Sequence, residues 1–175
     1  QEYFFFVGLT LLFFIFCIPT LQALIRGAPF VPTPMRAAEI IFEKAKLRKG
    51  SRFYDLGCGD GRFPYLAEKM HGANATGFEL SPLVYVIARI RKFLWKSKAE
   101  IRFANFKKQD LSDADAIFCY LMPDALEYTM AKFKKELRPG TRIISYAFRI
   151  GNWKPIEIVE NDPALRLAPI RVYEI

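Results

Sequence analysis

Phe53-Tyr54-Asp55-Leu56-Gly57-Cys58-Gly59-Asp60-Gly61-Arg62 is the stretch that decides the fold. Arg52 to Leu56 has the short apolar character of a buried strand, and Phe63, Leu66, Ala67 and Met70 recur at helical spacing just beyond it. A strand ending in an acid, a turn with alternate glycines and a helix N-terminus together form a cradle for an adenosine-type ligand. The glycines admit a ligand without Cβ clashes and accept positive φ. A dinucleotide fingerprint would place its third glycine at position 62, where Arg62 stands, and no Gly-Lys-Ser/Thr ending supplies a phosphate loop. A tight strand–helix turn without a ligand is the plain alternative.

Downstream, Ala75 to Leu80 (ATGFEL) reads as a second strand with an acid at its end, Glu79, 24 residues after Asp55. At that distance in a nucleoside-binding α/β fold a carboxylate accepts hydrogen bonds from both ribose hydroxyls; a ligand-free strand-end acid is the alternative. Ser81-Pro82 opens a helix over Leu83 to Lys98, with Leu83, Ile87, Ile90 and Leu94 as its expected core face. Another stripe carries Tyr85, Arg89, Lys92 and Lys96 with Trp95 beside it, a pattern that suits a bilayer interface or a solvated basic face. Ile101 to Ala104, Asp115 to Leu121 and Thr141 to Phe148 read as further strands, and Asp124 to Glu136 as an amphipathic helix stopped by Arg138-Pro139-Gly140. Ile156 to Val159 and Arg166 to Tyr173 pair as a terminal hairpin. Strands alternating with helices predict a parallel sheet with right-handed crossovers and helices on both faces. His71, the single histidine, ends the first crossover helix and reads as a surface residue.

Upstream, Tyr3 to Ile25 (YFFFVGLTLLFFIFCIPTLQALI) is uncharged and suits a bilayer core of roughly 30 Å. One N-terminal transmembrane helix over 3–25 is expected; a signal peptide is the alternative, without a visible basic n-region or cleavage site. Arg26, Arg36, Lys44, Lys46, Arg48 and Lys49 follow the run and only Glu2 precedes it. That asymmetry places the rest of the chain on the cytoplasmic, or equivalent reducing, side. Residues 26–34 form a linker in which Thr33 is the expected N-cap of a helix over Met35 to Lys46, with Pro34 at its first position. This helix, with Ala38, Ile41, Phe42 and Ala45 on one face, covers a sheet edge or holds the linker over the pocket. The 175 residues carry a net charge of +8 and three cysteines with no metal-ligand spacing. The charge favours anionic surfaces, acidic proteins or nucleic acid; the uneven thiols favour a reducing compartment, and no metal is expected.

Asp55-x-Gly57-x-Gly59-x-Gly61, then Glu79, then Asn105-Phe106, then two apolar strands resembles a class I S-adenosylmethionine (SAM) methyltransferase over 35–175. Phe30-Val31-Pro32-Thr33-Pro34 before a helix, with Tyr146-Ala147-Phe148 and Trp153-x-Pro155 near the end, is similar to a small family of protein lysine methyltransferases. That family includes archaeal enzymes and the anchored mitochondrial enzymes acting on the ATP synthase c subunit and the adenine nucleotide translocator. The resemblance implies a Rossmann-like sheet, SAM as cofactor and a lysine-bearing protein substrate at a membrane. It implies that Asp55 and the Gly57 carbonyl hold the methionine amino group, with Cys58 and Asp60 of the same turn and Leu80 after the second strand also binding the cofactor. Gly59 and Gly61 admit the cofactor, Glu79 binds ribose, Asn105 and Phe106 contact adenine, and Thr33 closes over the methionine end. Tyr120 and Met122 would line the target channel. Tyr120, Tyr146 and Phe148 are further expected to form an aromatic wall guiding the amine, with plain core packing as the alternative for Phe148. The Asn-Pro-Pro-Tyr motif of amide and nucleobase methyltransferases is replaced by Tyr120-Leu121-Met122-Pro123-Asp124, so nucleic acid is not the expected partner. A methyltransferase for a small or lipid-soluble molecule, and a non-catalytic SAM-binding protein, are the competing readings.

Overall fold

The computed structural model describes residues 2–26 and 33–175; the side chains described in the first helix are those of 2–15 and 17. Helix α1 (Glu2–Arg26) is followed by α2 (Met35–Lys44), β1 (Arg52–Leu56), α3 (Arg62–His71), β2 (Asn74–Glu79) and α4 (Pro82–Leu94). Then come β3 (Glu100–Phe103), a 3-10 turn (Phe106–Lys108), β4 (Ala116–Cys119), α5 (Pro123–Glu136), β5 (Arg142–Tyr146), β6 (Glu157–Val159) and β7 (Ile170–Glu174). One seven-stranded sheet has the order β3-β2-β1-β4-β5-β7-β6. The first five strands run parallel; β7 inserts antiparallel beside β5, and β6 pairs antiparallel with β7. The expected terminal pair thus forms, and it joins the main sheet.

Each sheet face has its own core. One packs α2 and α3 on β1, β4 and β5 through Ile41, Phe42, Phe63, Phe118 and Ile144. The other packs α5 on the opposite face through Leu126, Phe133, Ile117, Ile143 and Tyr173. Central strands with both faces covered explain why Ala116–Cys119 is apolar at every position rather than alternating.

Several local expectations change. Helix α2 does not cover a sheet edge: Phe42 meets Phe53 of β1 at 5.7 Å and Phe63 of α3 at 5.6 Å, over the middle of the sheet. Thr33 is buried and the N-cap falls to Pro34 instead; the helix starts at Met35 as expected and ends at Lys44, two residues early. His71 does end α3, but half-buried against Phe42 at 5.5 Å. The largest change is in α4. Leu83, Ile87, Ile90 and Leu94 face outward, and Ala88 is the buried residue. A small residue there lets α4 lie against the glycine turn: a Cβ on Gly61 would stand 3.4 Å from that of Ala88.

Helix α1 is 25 residues long, and its described apolar side chains from Tyr3 to Ile15 are exposed. Among the described residues no helix is long and apolar enough to cross a membrane. Of the expected 26–34 linker, 27–32, including Phe30, Val31 and Pro32, lie outside the described residues.

Candidate active site

Strand β1 is flanked by β2 on one side and β4 on the other, and the chain winds outward from it in both directions. Such a reversal leaves a crevice beyond the carboxyl ends of the strands, the general ligand site of open α/β sheets. Asp55 stands at that end, in register with Gly77 of β2 and Phe118 of β4. The chain then turns on Gly57, Gly59 and Gly61 with φ of +85°, +57° and +78°, a region unfavourable to side-chain-bearing residues. The Gly57 and Cys58 N–H groups both donate to the Phe78 carbonyl at 2.9 Å, laying the turn across the end of β2. Gly77 makes this approach possible, since a Cβ there would fall 2.6 Å from Cys58 Cβ and Sγ. Gly77 is a site-shaping residue that the glycine spacing alone does not reveal; a glycine within an apolar strand was its only signal.

Three acids converge on this turn and differ in charge environment. Burial pushes the Asp55 carboxyl well above its ordinary range, and the nearby Glu79 and Asp60 charges push further the same way. Glu79 is also raised by burial, although its oxygens accept N–H bonds from Gly59 at 3.0 Å, Leu80 at 2.8 Å and Ser81 at 2.7 Å. A carboxylate has about four acceptor sites, so Oε2, used once by Gly59, retains capacity for a ligand hydroxyl. Asp60 takes another role. Arg62 grips it through Nε at 2.9 and 3.0 Å and Nη2 at 2.5 Å, and Arg91 of α4 reaches the same carboxylate. Burial pulls Asp60 upward, but the Arg62 bonds and charge outweigh it and hold the group below its usual range. Asp60 therefore pins α3 to α4, and the Arg62 that displaced a dinucleotide glycine is its partner. Cys58 is buried beside Gly77, its thiol raised well above the ordinary value by burial and then by Asp55.

Across the crevice, Asn105 accepts the Lys107 N–H at 3.0 Å and so starts the 3-10 turn that carries Phe106. Both follow β3, whose Phe103 is in register with Glu79. Leu80 is exposed at the mouth, and Met122 stands at the N-cap of α5. Tyr120, just beyond β4, meets Tyr146 edge-on at 5.1 Å and Phe148 in a stack at 6.3 Å. The expected trio is thus one cluster. Tyr146 is buried, with its hydroxyl accepting the Ala168 N–H at 3.0 Å, while Tyr120 and Phe148 are half-buried. Between them Ala147 adopts φ +67°, held by its N–H to the Pro169 carbonyl and by Arg171 on its own carbonyl at 2.7 Å. A strained non-glycine residue at a strand exit commonly marks a functional edge. Ala147 carries no compositional signal of it.

The donor set fits SAM. Asp55 is a buried carboxylate surrounded by negative rather than positive groups, which matches an ammonium-bearing ligand; Glu79 keeps room for a ribose hydroxyl, and the glycine turn supplies the close approach. The family profile for the ANTKMT methyltransferase domain matches residues 55–157. A protein-lysine N-methyltransferase of Saccharolobus islandicus is 36% identical over 135 residues, covering 75% of this chain and 84% of that protein. The adenine nucleotide translocase lysine N-methyltransferase of Mus musculus is 29% identical over 133 residues, 75% of this chain and 58% of the mouse protein. Among solved structures, an RNA methyltransferase from Salinibacter ruber in complex with S-adenosyl-L-homocysteine aligns with a TM-score of 0.78 and 28% identity. That alignment covers 83% of this chain and 94% of the other.

Proposed function

The chain belongs to the ANTKMT methyltransferase domain family, and on that footing we propose that it methylates lysine side chains of proteins at a membrane to which α1 anchors it. The observation that carries the enzymatic reading is the buried Asp55 at the switch point, raised by burial and by two neighbouring acids. Its carboxylate holds the cofactor's ammonium, Glu79 the ribose, and Asn105 with Phe106 the adenine edge. Thr33, buried at the start of α2, closes the methionine end.

When bound, SAM supplies an activated methyl group and its sulfonium charge. The protein must deliver an unprotonated lysine. At an ordinary pKa of about 10.4, deprotonation at pH 7 costs about 4–5 kcal/mol. An aromatic, partly desolvated approach past Tyr120, Tyr146 and Phe148 disfavours the ammonium and lowers that cost. Burial, and then Tyr146, raise the Tyr120 hydroxyl above its ordinary value, so Tyr120 acts as a neutral wall and not as a base. Alignment of the amine by this wall supplies much of the remaining acceleration.

The membrane reading rests on α1. That reading comes from the uncharged run 3–25, part of which lies outside the described side chains: 23 residues at 1.5 Å each give about 35 Å, against a bilayer core of roughly 30 Å. Apolar side chains from Tyr3 to Ile15 are exposed along it, and the basic residues lie on its C-terminal flank. That flank favours a methyltransferase domain on the cytoplasmic or equivalent reducing side, where Cys58 and Cys119 stay as free thiols. An anchored enzyme meets membrane-embedded targets at raised effective concentration.

A second reading, methylation of RNA, draws on the name of the Salinibacter protein and on the net charge of +8. Incubating the full chain with methyl-labelled SAM, host membranes and host RNA separates the readings. Label on lysines of membrane proteins, lost in Asp55→Asn, is the expected result. Label confined to RNA or to the lipid extract would overturn the lysine assignment.

A further inference from the structure

We propose that α4 is an interfacial helix that lays its outer face on an anionic lipid surface, giving the domain a second membrane contact besides α1. Leu83, Val86, Ile87, Ile90, Phe93 and Leu94 are all exposed, with Ile90 at 54%, Leu94 at 67% and Phe93 at 81%. At about 100° per residue they fall on one arc of about 120°, centred on Ile90. The opposite side is the buried one, through Ala88 packed with Cys58 and Ile101. Six large apolar side chains turned outward on a helix of 13 residues exceed the scattered surface hydrophobics of a monomer and call for a covering medium.

Two observations identify that medium as lipid. First, α1 packs against α4, and its own described apolar side chains are exposed. A medium that takes up α1 therefore lies next to α4. Second, Arg89, exposed, borders the arc, with Lys92 beyond it and Lys96, also exposed, just past the end of the helix. Arg89 is held at the border by its Nη1 donating to Tyr85 Oη at 2.9 Å. A cationic border around an apolar arc is the pattern of a helix lying in the headgroup region, where anionic lipid neutralises the border. The same border on a chain of net charge +8 opposes a second copy. Since α4 starts three residues after Glu79, docking by this face sets the mouth of the crevice close to the lipid headgroups. Lysines next to a bilayer then come within reach.

The inference rests on α1 entering the bilayer, and one preparation reads the two separately. The full chain carrying Cys17→Ser and Ile90→Cys is labelled with an environment-sensitive fluorophore and reconstituted in phosphatidylcholine vesicles with or without phosphatidylglycerol. Cys58 and Cys119 are buried. Lys135→Cys, exposed on α5 across the sheet, serves as control. The expected result is co-flotation with vesicles, a blue shift at position 90 with quenching by lipid-borne quenchers, and neither at position 135. Adding Arg89→Glu and Lys96→Glu reduces docking in phosphatidylglycerol vesicles about tenfold or more, with S-adenosylhomocysteine binding unchanged because neither residue is among those assigned to the cofactor. Failure to float overturns both membrane contacts. Flotation with position 90 still in water overturns the α4 contact alone. Shielding without lipid quenching, or shielding that grows with protein density, means a protein surface covers the face and overturns it too.

Discussion

On the β2 side of β1, Asp55, the glycine turn and Glu79 belong to a single β–α–β unit and are held by short-range backbone bonds to Phe78 and Gly59. On the β4 side, Tyr120, Tyr146 and Phe148 come from two strands, and their geometry depends on Ala147, Pro169, Ala168 and Arg171 near or within the antiparallel β7. The first half is made of charge and backbone, and its residue types follow from a ligand that needs close approach. The second half is made of aromatic surface, and its residue types are those of any core. Under the proposed function the first half holds the cofactor, while the second is shaped by packing and is free to differ with the target.

The widest separation between the halves is expected from Glu79→Ala. It removes the ribose acceptor and also frees the Gly59, Leu80 and Ser81 N–H groups. Charged hydrogen bonds contribute about 1.5–3 kcal/mol each, so S-adenosylhomocysteine affinity should fall more than about 100-fold by calorimetry. Retained affinity would mean that the turn, and not the carboxylate, grips the nucleoside.

Next in size is Tyr120→Ala. Turnover per KM should fall about 10- to 100-fold while S-adenosylhomocysteine affinity stays within about twofold, as expected for a group acting on the substrate alone. An equal loss in both quantities would merge the two halves.

The pH dependence of cofactor-product binding sharpens the charge side. The folded chain holds the Asp55 proton above the reference value of 3.8, so ionising it opposes folding: its contribution to stability is largest below 3.8 and declines as pH rises through the folded value. An ammonium ligand prefers the ionised form. Affinity should therefore climb with pH across that window and weaken on acidification, and Asp55→Asn should flatten the titration. A flat profile in the unmodified chain would remove Asp55 from the ammonium site.

The smallest effect is at Ala147. Glycine relieves the φ of +67° but adds unfolded-state freedom, leaving a net gain of about 0.5–1 kcal/mol in denaturant unfolding. A loosened aromatic cluster should accompany it as a rise in substrate KM. Stabilisation without any KM change would make the strain structural only.

Helix α4 shows where sequence periodicity stops. Leu83, Ile87, Ile90 and Leu94 mark an apolar stripe correctly, but a stripe says nothing about which medium it meets. The buried side was chosen by Ala88, whose small size permits contact with the turn at Gly61. Asp60 was equally ambiguous: its place in the glycine turn suggested a ligand contact, and only Arg91, from the next helix, turned it into a structural clamp. Gly77 gave only the weak signal of a glycine within a strand and Ala147 gave none, since what constrains them is a neighbour distant in the chain.

Alternating apolar strands and helices, the acid before the glycine turn and the second acid beyond it determined by themselves the α/β architecture and the meeting of Asp55, the glycine turn and Glu79 at one end of the sheet, because those features act through local backbone geometry and spacing. The insertion of β7 beside β5, the clamping of Asp60 by Arg91 and the outward turn of α4 were decided only by the tertiary structure. Each depends on which surfaces meet, and complementary volume and charge between remote segments have no local signature in the chain.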